Sequence, residues 1–344
     1  AAALFVDEEF DDLTATLRAK LAAALDTAEL PPEFVTALVR RQRIVLIIDR
    51  VSERQPATRA AVETVYRKLP ANALVLTARY EIPLEAQQAL LLRPRALDSN
   101  TLLGFLGEQL RAAQGEELFQ RLNDKAMLVQ RLAQQIALGR EELHITPLLV
   151  RVFVDKAVAL ARSQGIEGLE HLPANVPEAY FDYVEDVDAA KRNAGFARDE
   201  QAEAYRRAVT LLAFLELGDD FRPKAIPAAE VSAVLAADPI VSAQKHDYLK
   251  RLEDNGLVVR YLIGAEARVE FVLDPLAECF AAFEHARRCG SDASKWTELL
   301  QRVEALGENA SGFLLALRMN HAAYAEALGF PNVDFRATPA SLYP

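Results

Sequence analysis

Between Arg43 and Asp49 the chain runs Ile44-Val45-Leu46-Ile47-Ile48, an unbroken aliphatic stretch closed by a carboxylate. Most of these residues are β-branched, which disfavours helix and favours a pleated strand. The lack of polar alternation predicts burial on both faces, as in a parallel sheet covered by helices. Ala73-Leu74-Val75-Leu76 is a second apolar run, and the helical pattern Thr58–Lys68 lies between the two. Strand, helix, strand makes a βαβ unit. Upstream, Ala3–Val6 reads as a further strand. Helices follow over Asp12–Leu25, where Leu13, Leu17, Leu21, Ala24 and Leu25 recur at helical spacing, and from Pro31-Pro32 through Val39.

After Pro94 the strand signal stops. Helical patterns cover Thr101–Ala113, Glu116–Asn123, Lys125–Leu138, Pro147–Ser163, Pro177–Asn193 and Glu200–Leu217, and Ser99, Thr146 and Asp199 supply side chains able to cap helix starts. The pattern changes again at Gly218. A short extended piece at Phe221–Pro223 and Ile226 precedes helices over Ala228–Leu235 and Ser242–Asn255, the latter stopped by Asn255-Gly256. Strands Leu257–Ile263 and Arg268–Leu273 flank a Gly264-Ala265 turn, and a helix runs from Pro275 to Arg288. Helix, helix, hairpin is the order of a winged helix. Lys295–Leu328 reads as helix, and the tail from Pro331 has no clear pattern. At roughly 150 residues per domain the length suggests two domains. The pattern refines this to an α/β segment (1–97), a helical segment (98–199), a winged-helix-like segment (200–290) and a helical extension (291–344).

Composition removes several function classes. With 39 basic against 50 acidic residues the net charge is −11, which repels nucleic acid phosphates and anionic lipid over most of the surface. Charged residues interrupt every apolar run well before the roughly 18 residues a membrane span needs. The acidic N-terminal stretch is unlike a secretion signal. Cys279 and Cys289 furnish neither a disulfide framework nor a zinc spacing, which fits a reducing, cytoplasmic setting. His144, His171, His246, His285 and His321 show no ligand spacing, and Cys279 falls on the apolar side of its helix. The Asp7–Asp12 run reads as a solvated loop at the sheet edge.

Asp49 stands at the carboxyl end of its strand, where open α/β sheets hold their ligands. An aspartate there commonly holds Mg²⁺ through water, and Glu53 is placed to orient an attacking water. The plainer reading is a loop-capping Asp and a solvated Glu. The second strand ends in Thr77-Ala78-Arg79, which brings a hydroxyl and a cation to the same edge. Arg79 there is suited to sensing a terminal phosphate; its plainer role is a surface pair with Glu81.

Taken together, these residues resemble the NACHT branch of the STAND class of signalling nucleoside triphosphatases. The strand ending in Asp49 and Glu53 looks like the family's Walker B, with Arg50 for the usual Gly and Ser52 for the middle acid. Thr77-Ala78-Arg79 resembles its sensor strand, and Leu97-Asp98 the entry to its small helical domain. Pro147 resembles the proline that packs near the adenine, although Ile145 replaces the usual Gly. Val176-Pro177-Glu178-Ala179-Tyr180 and the stretch from Phe271 to Ala282 continue the series, with Leu273 where many members place a phosphate-contacting His.

The resemblance implies α/β plus α architecture: a partial parallel P-loop NTPase sheet, then helical and winged-helix domains. It implies Mg²⁺-bound ATP or ADP, slow hydrolysis, nucleotide-controlled self-oligomerisation, and effector and sensor regions outside this chain, in bacterial defence or regulation. Asp49 and Glu53 become catalytic, with Asp49 toward Mg²⁺, and Thr77, Arg79 and Pro147 become nucleotide-binding. One element is missing. A P-loop needs Gly followed by Lys, and no Gly in the 344 residues is followed by Lys. The expectation is a chain beginning just after that loop, binding ATP poorly alone. Two other readings stand beside this one: a degenerate, non-catalytic scaffold, and a DNA-binding regulator reading through Ser242–Asn255, whose Lys245, His246, Lys250 and Arg251 alternate with Asp247, Glu253 and Asp254.

Overall fold

The computed structural model describes residues 2–6, 10–27, 29–41, 43–49, 51, 54, 57–62, 74–78, 90, 92, 99–119, 126–128, 130–132, 147–191, 198–244, 246–263 and 266–335. The chain divides into two compact units, Ala1–Arg93 and Pro94–Pro344.

In the first unit, β1 (Ala2–Val6), β2 (Ile44–Ile48) and β3 (Leu74–Leu76) form a parallel sheet in that spatial order. Val6 pairs with Ile48, and Ile48 with Leu76, so the three strands end level. Helix α1 (Leu13–Ala24) starts where the Asp12 carboxylate accepts the amides of Thr14 and Ala15 at 2.9 and 3.2 Å. Asp12, expected in a solvated loop, is therefore the cap that satisfies the helix's first amides. Helix α2 (Pro32–Arg40) has proline in its first turn, Glu33 beside the positive end and Arg40 beside the negative end of its dipole. Residues 57–62 are also helical, and the Thr58 hydroxyl accepts the buried Phe10 amide at 3.0 Å.

The expectation that β2 is buried on both faces is corrected. Ile44, Leu46 and Ile48 are buried, whereas Val45 and Ile47 are only half-buried. Leu13, Leu17, Val35, Val39 and Val62 all join the core of Val6, Leu46 and Ile48, so the helices supply one apolar layer on one face. On the other face Phe5 and Val75 remain 48% and 45% exposed.

The second unit is mostly helical around one continuous core. Helix α3 (Ser99–Ala112) is followed by the buried Gly115, whose absent side chain leaves room for Val158 of α4 (Pro147–Gln164). Arg162 of α4 donates to the carbonyls of Ala113 and Gln114 at 3.2 and 2.8 Å, satisfying acceptors that the end of α3 leaves open. Helix α5 (Val176–Lys191) opens with a reciprocal cap: Asn175 accepts the Glu178 amide and Glu178 accepts the Ala174 amide, both at 2.9 Å.

Helix α6 (Arg198–Leu217) packs against α10 (Asp274–Cys289), which also packs against α12 (Ser311–Leu328). Between α6 and α10 lie β4 (Ile226–Pro227), α7 (Ala228–Ala237), α8 (Pro239–Ala243), α9 (Tyr248–Asp254), β5 (Val258–Ile263) and β6 (Glu266–Phe271). The strands form an antiparallel sheet in the order β4-β6-β5. The single helix expected over Ser242–Asn255 is two, because Asp238 caps α8 through the amides of Ile240 and Val241 and Asp247 starts α9 afresh through the Lys250 amide. Likewise Lys295–Leu328, expected as helix throughout, is broken between α11 (Ala293–Leu306) and α12 by Gly307 at φ 57°.

A buried charge cluster ties these helices. Glu284 of α10, whose side chain is 0% exposed, accepts Arg207 at 2.6 Å, Arg287 at 2.8 and 3.0 Å and Arg288 at 2.7 Å. Arg207 of α6 also reaches Asp238 at 2.9 Å. Burial pushes the Glu284 carboxyl up, but hydrogen bonds from Arg287 and Arg288 and the charge of Arg207 outweigh it and hold it down at about 2. Next to it, His285 lies among Phe214, Phe221 and Phe313, with centroids 4.6, 5.2 and 5.3 Å away. Burial, with Arg288 and Arg302 nearby, lowers its imidazole to about 4.

Both groups favour the folded state at neutral pH and lose that contribution in acid. For His285 the loss runs from the ordinary 6.5 down to about 4, and for Glu284 from 4.5 down to about 2. Urea unfolding across pH is therefore expected to show stability falling in both windows, with His285→Phe flattening the upper one and Glu284→Gln the lower. Gly115→Ala is expected to lose about 1–3 kcal/mol by forcing a methyl into the stiff Val158 side chain, read as a lower urea midpoint.

Candidate functional site

The carboxyl ends of β1, β2 and β3 form one edge. Backbone bonds carry the ladder past the strands: the Asp49 amide donates to the Val6 carbonyl at 3.1 Å, Thr77 to Ile48 at 3.1 Å, and Val51 back to Thr77 at 2.9 Å. These bonds fix Asp49 and Thr77 as neighbours on adjacent strands, and the Thr77 hydroxyl donates to the Asp49 carboxylate. Val51 is buried at 1% exposure, and Arg54 Nε donates to the Asp49 carbonyl at 3.2 Å. Asp49 is half-buried and Thr77 exposed, so the pair is reachable from solvent.

A carboxylate beside a hydroxyl is a hard-oxygen donor pair of the kind that Mg²⁺ takes through its water shell. The pair fits the metal-facing half of a nucleotide site. Nothing in the 344 residues matches the Gly-Lys loop that would hold the phosphates, so the phosphate-facing half does not fit. Of the residues singled out in the sequence, Asp49 and Thr77 come together. Glu53 and Arg79 lie outside the described residues. Pro147 is exposed at the first position of α4, in the second unit. Arg54 was not anticipated; its only sequence signal is a cation five residues after the strand-end aspartate.

The other candidate surface is α9. A nucleic-acid reader turns its cations outward, whereas here Arg251 is turned inward and Lys250 alone of the α9 cations stays exposed. Arg251 makes a two-pronged ion pair with Asp188 of α5 at 2.5 and 2.6 Å, while its guanidinium lies 4.9 Å from the Tyr205 ring and 5.6 Å from the Tyr248 ring. Asn255 donates to the same Asp188 at 3.1 Å and to the Tyr205 hydroxyl at 2.7 Å. The Asp188 side chain is 1% exposed. Lys245 lies outside the described residues. The antiparallel sheet is anchored from behind, where the buried Glu216 of α6 accepts the Phe271 amide at 3.0 Å.

Among the described residues no group of three or more His, Cys, Asp or Glu side chains is arranged to hold a metal. His144 lies outside them. Cys279 and Cys289 are buried free thiols, and burial pushes Cys279 up to about 12, so it acts as core packing. Among the described residues no helix is long and apolar enough to cross a membrane.

Arg251→Ala is expected to cost about 3–5 kcal/mol, because it strands the Asp188 carboxylate in the interior. The loss would be read as a fall in urea midpoint. A gel shift with generic duplex DNA is expected to show no salt-sensitive complex with the intact chain; a clear complex would overturn the inward-facing assignment of α9.

No protein-family model matches the chain, and no curated protein matches it in sequence. Among solved structures, a point mutant of RuvB from Thermotoga maritima aligns at 14% identity over 79% of this chain and 84% of that one, with a TM-score of 0.24. A likeness that loose carries no argument about fold or function.

Proposed function

We propose that this chain is the central part of a nucleotide-controlled signalling switch of the NACHT type, containing the Walker B and sensor strands of a P-loop NTPase sheet. The observation that carries this reading is the Asp49–Thr77 pair at the carboxyl edge of adjacent parallel strands.

In this reading Asp49 would hold the water shell of Mg²⁺ and Glu53 would orient a water. By the family resemblance Arg79 would meet a terminal phosphate, and Thr77 would fix the Asp49 carboxylate. When bound, Mg²⁺ neutralises charge on the phosphates. Residues 98–199 and 200–290 act as the helical and winged-helix domains, 291–344 extend them, and self-association is the output. Leu273 starts α10 in place of a phosphate-contacting His and offers no donor, so this position adds nothing to nucleotide sensing. The inward commitment of Arg251 and Asn255 favours a winged helix that packs against protein over one that reads DNA.

Two measurements test the proposal. Calorimetric titration of the chain with Mg·ATP is expected to show no micromolar binding, since the phosphate-holding loop is absent from these residues. In the natural protein that carries this chain, Asp49→Asn and Glu53→Gln are each expected to lower nucleotide turnover about 100-fold while the melting temperature stays close to wild type. Unchanged turnover removes both residues from the catalytic role.

A further inference from the structure

Helix α12 ends at Gly329, which adopts a left-handed conformation at φ 66° that a side chain would strain. The chain then doubles back over α11 and α12. Phe330 is 8% exposed, with its ring 5.3 Å from Trp296 and 6.0 Å from His321. The Pro331 carbonyl lies 2.8 Å from His321 Nε2; a carbonyl only accepts, so this nitrogen carries the proton. One helical turn back, Arg318 Nη2 donates to the Phe335 carbonyl at 2.9 Å, and its guanidinium lies 5.8 Å from the Phe335 ring. That ring is also 5.3 Å from His321.

Two features set this arrangement apart from plain core packing. Side chains of α12 contact the segment's backbone carbonyls, which any extended peptide would present, while selectivity is left to two aromatic anchors. The segment also underfills its groove: a cavity of about 310 Å³ remains beside Pro331–Asp334, lined on α11 by Trp296, Thr297, Leu300, Gln301 and Glu304. Gly329, at φ 66°, joins the segment to the helix it lies on, so exchange with another copy would pivot at one residue.

We propose that the α11–α12 groove is a recognition site for an extended peptide carrying two aromatic anchors in the Phe330 and Phe335 pattern. Residues 330–335 are its resident occupant, and the same segment of a second copy of this chain is the partner that replaces them. The inference is independent of any nucleotide chemistry. A fluorescein-labelled peptide of the sequence Gly329–Phe335 tests it by anisotropy against the intact chain. Phe330→Ala weakens the resident segment, so that variant is expected to bind the peptide saturably. The wild type, its groove filled, is expected to bind about tenfold more weakly. A peptide with both phenylalanines replaced by alanine is expected not to bind, and adding Arg318→Ala to the Phe330→Ala chain is expected to weaken capture.

A Phe330→Ala chain with native circular dichroism that takes up no peptide overturns the proposal, and so does equal uptake of a scrambled peptide. Where Phe330→Ala does not fold, Phe335→Ala, at the half-buried end of the segment, is read by the same outcomes. If neither variant folds cooperatively, the segment is an integral part of the core and the proposal fails.

Discussion

A carboxylate placed in a protein interior must be paired or take up a proton, and Glu284 stays charged by meeting three guanidinium groups. Two come from its own helix one turn on, and the third, Arg207, crosses from α6 and also holds Asp238 at the start of α8. The charge therefore does more than offset its own desolvation. It fixes the rotation of α6 against α10 and sets where the chain leaves α7, since Asp238 is at once Arg207's partner and the cap of the next helix. With that register set, Phe181, Phe271 and Phe280 meet in the core and β6 is delivered to Glu216.

Asp188 repeats the device one layer away, with consequences for function. Its guanidinium and amide partners come from α9, the helix whose position in the sequence suggested a nucleic-acid reader. Removing those groups from the surface leaves α9 with an exposed mixture of Lys250 and Asp254, consistent with the acidic whole. The first unit is organised differently. Its sheet is bound by aliphatic burial on one face, and its chemistry sits at strand ends where backbone bonds between neighbours bring a carboxylate and a hydroxyl into contact.

Much of this was legible along the chain. Aliphatic runs located β2 and β3 to within a residue, because a β-branched stretch without polar alternation has few other stable uses. Asp49 and Thr77 follow directly from those strands, as the first polar residues past their ends. Helix bounds were legible wherever a cap or proline marks them, as at Pro32 and around Asn175 and Glu178. Two of the misreadings share one cause. Asp12 and Asp247 look like a solvated acid and a helix-surface charge in one dimension, and only the amides that point at them make them caps. An apolar periodicity running through Ser242–Asn255 concealed the break at Asp247, because periodicity carries no information about where a side chain turns back to the backbone.

By itself the sequence determined the element order, the sheet-then-helix division and the polar residues at the strand ends, since these depend on local propensity and hydrophobic spacing. Tertiary structure alone decided three further matters. It left Val45 and Ile47 of β2 only half-buried, because α1 and α2 join the apolar layer on the opposite face. It joined Thr77 to Asp49 across 28 residues, because strand pairing is a long-range choice among edges. It turned Arg251 inward to Asp188, 63 residues away, because a buried charge is satisfied by whichever opposite charge the packed helices bring within reach.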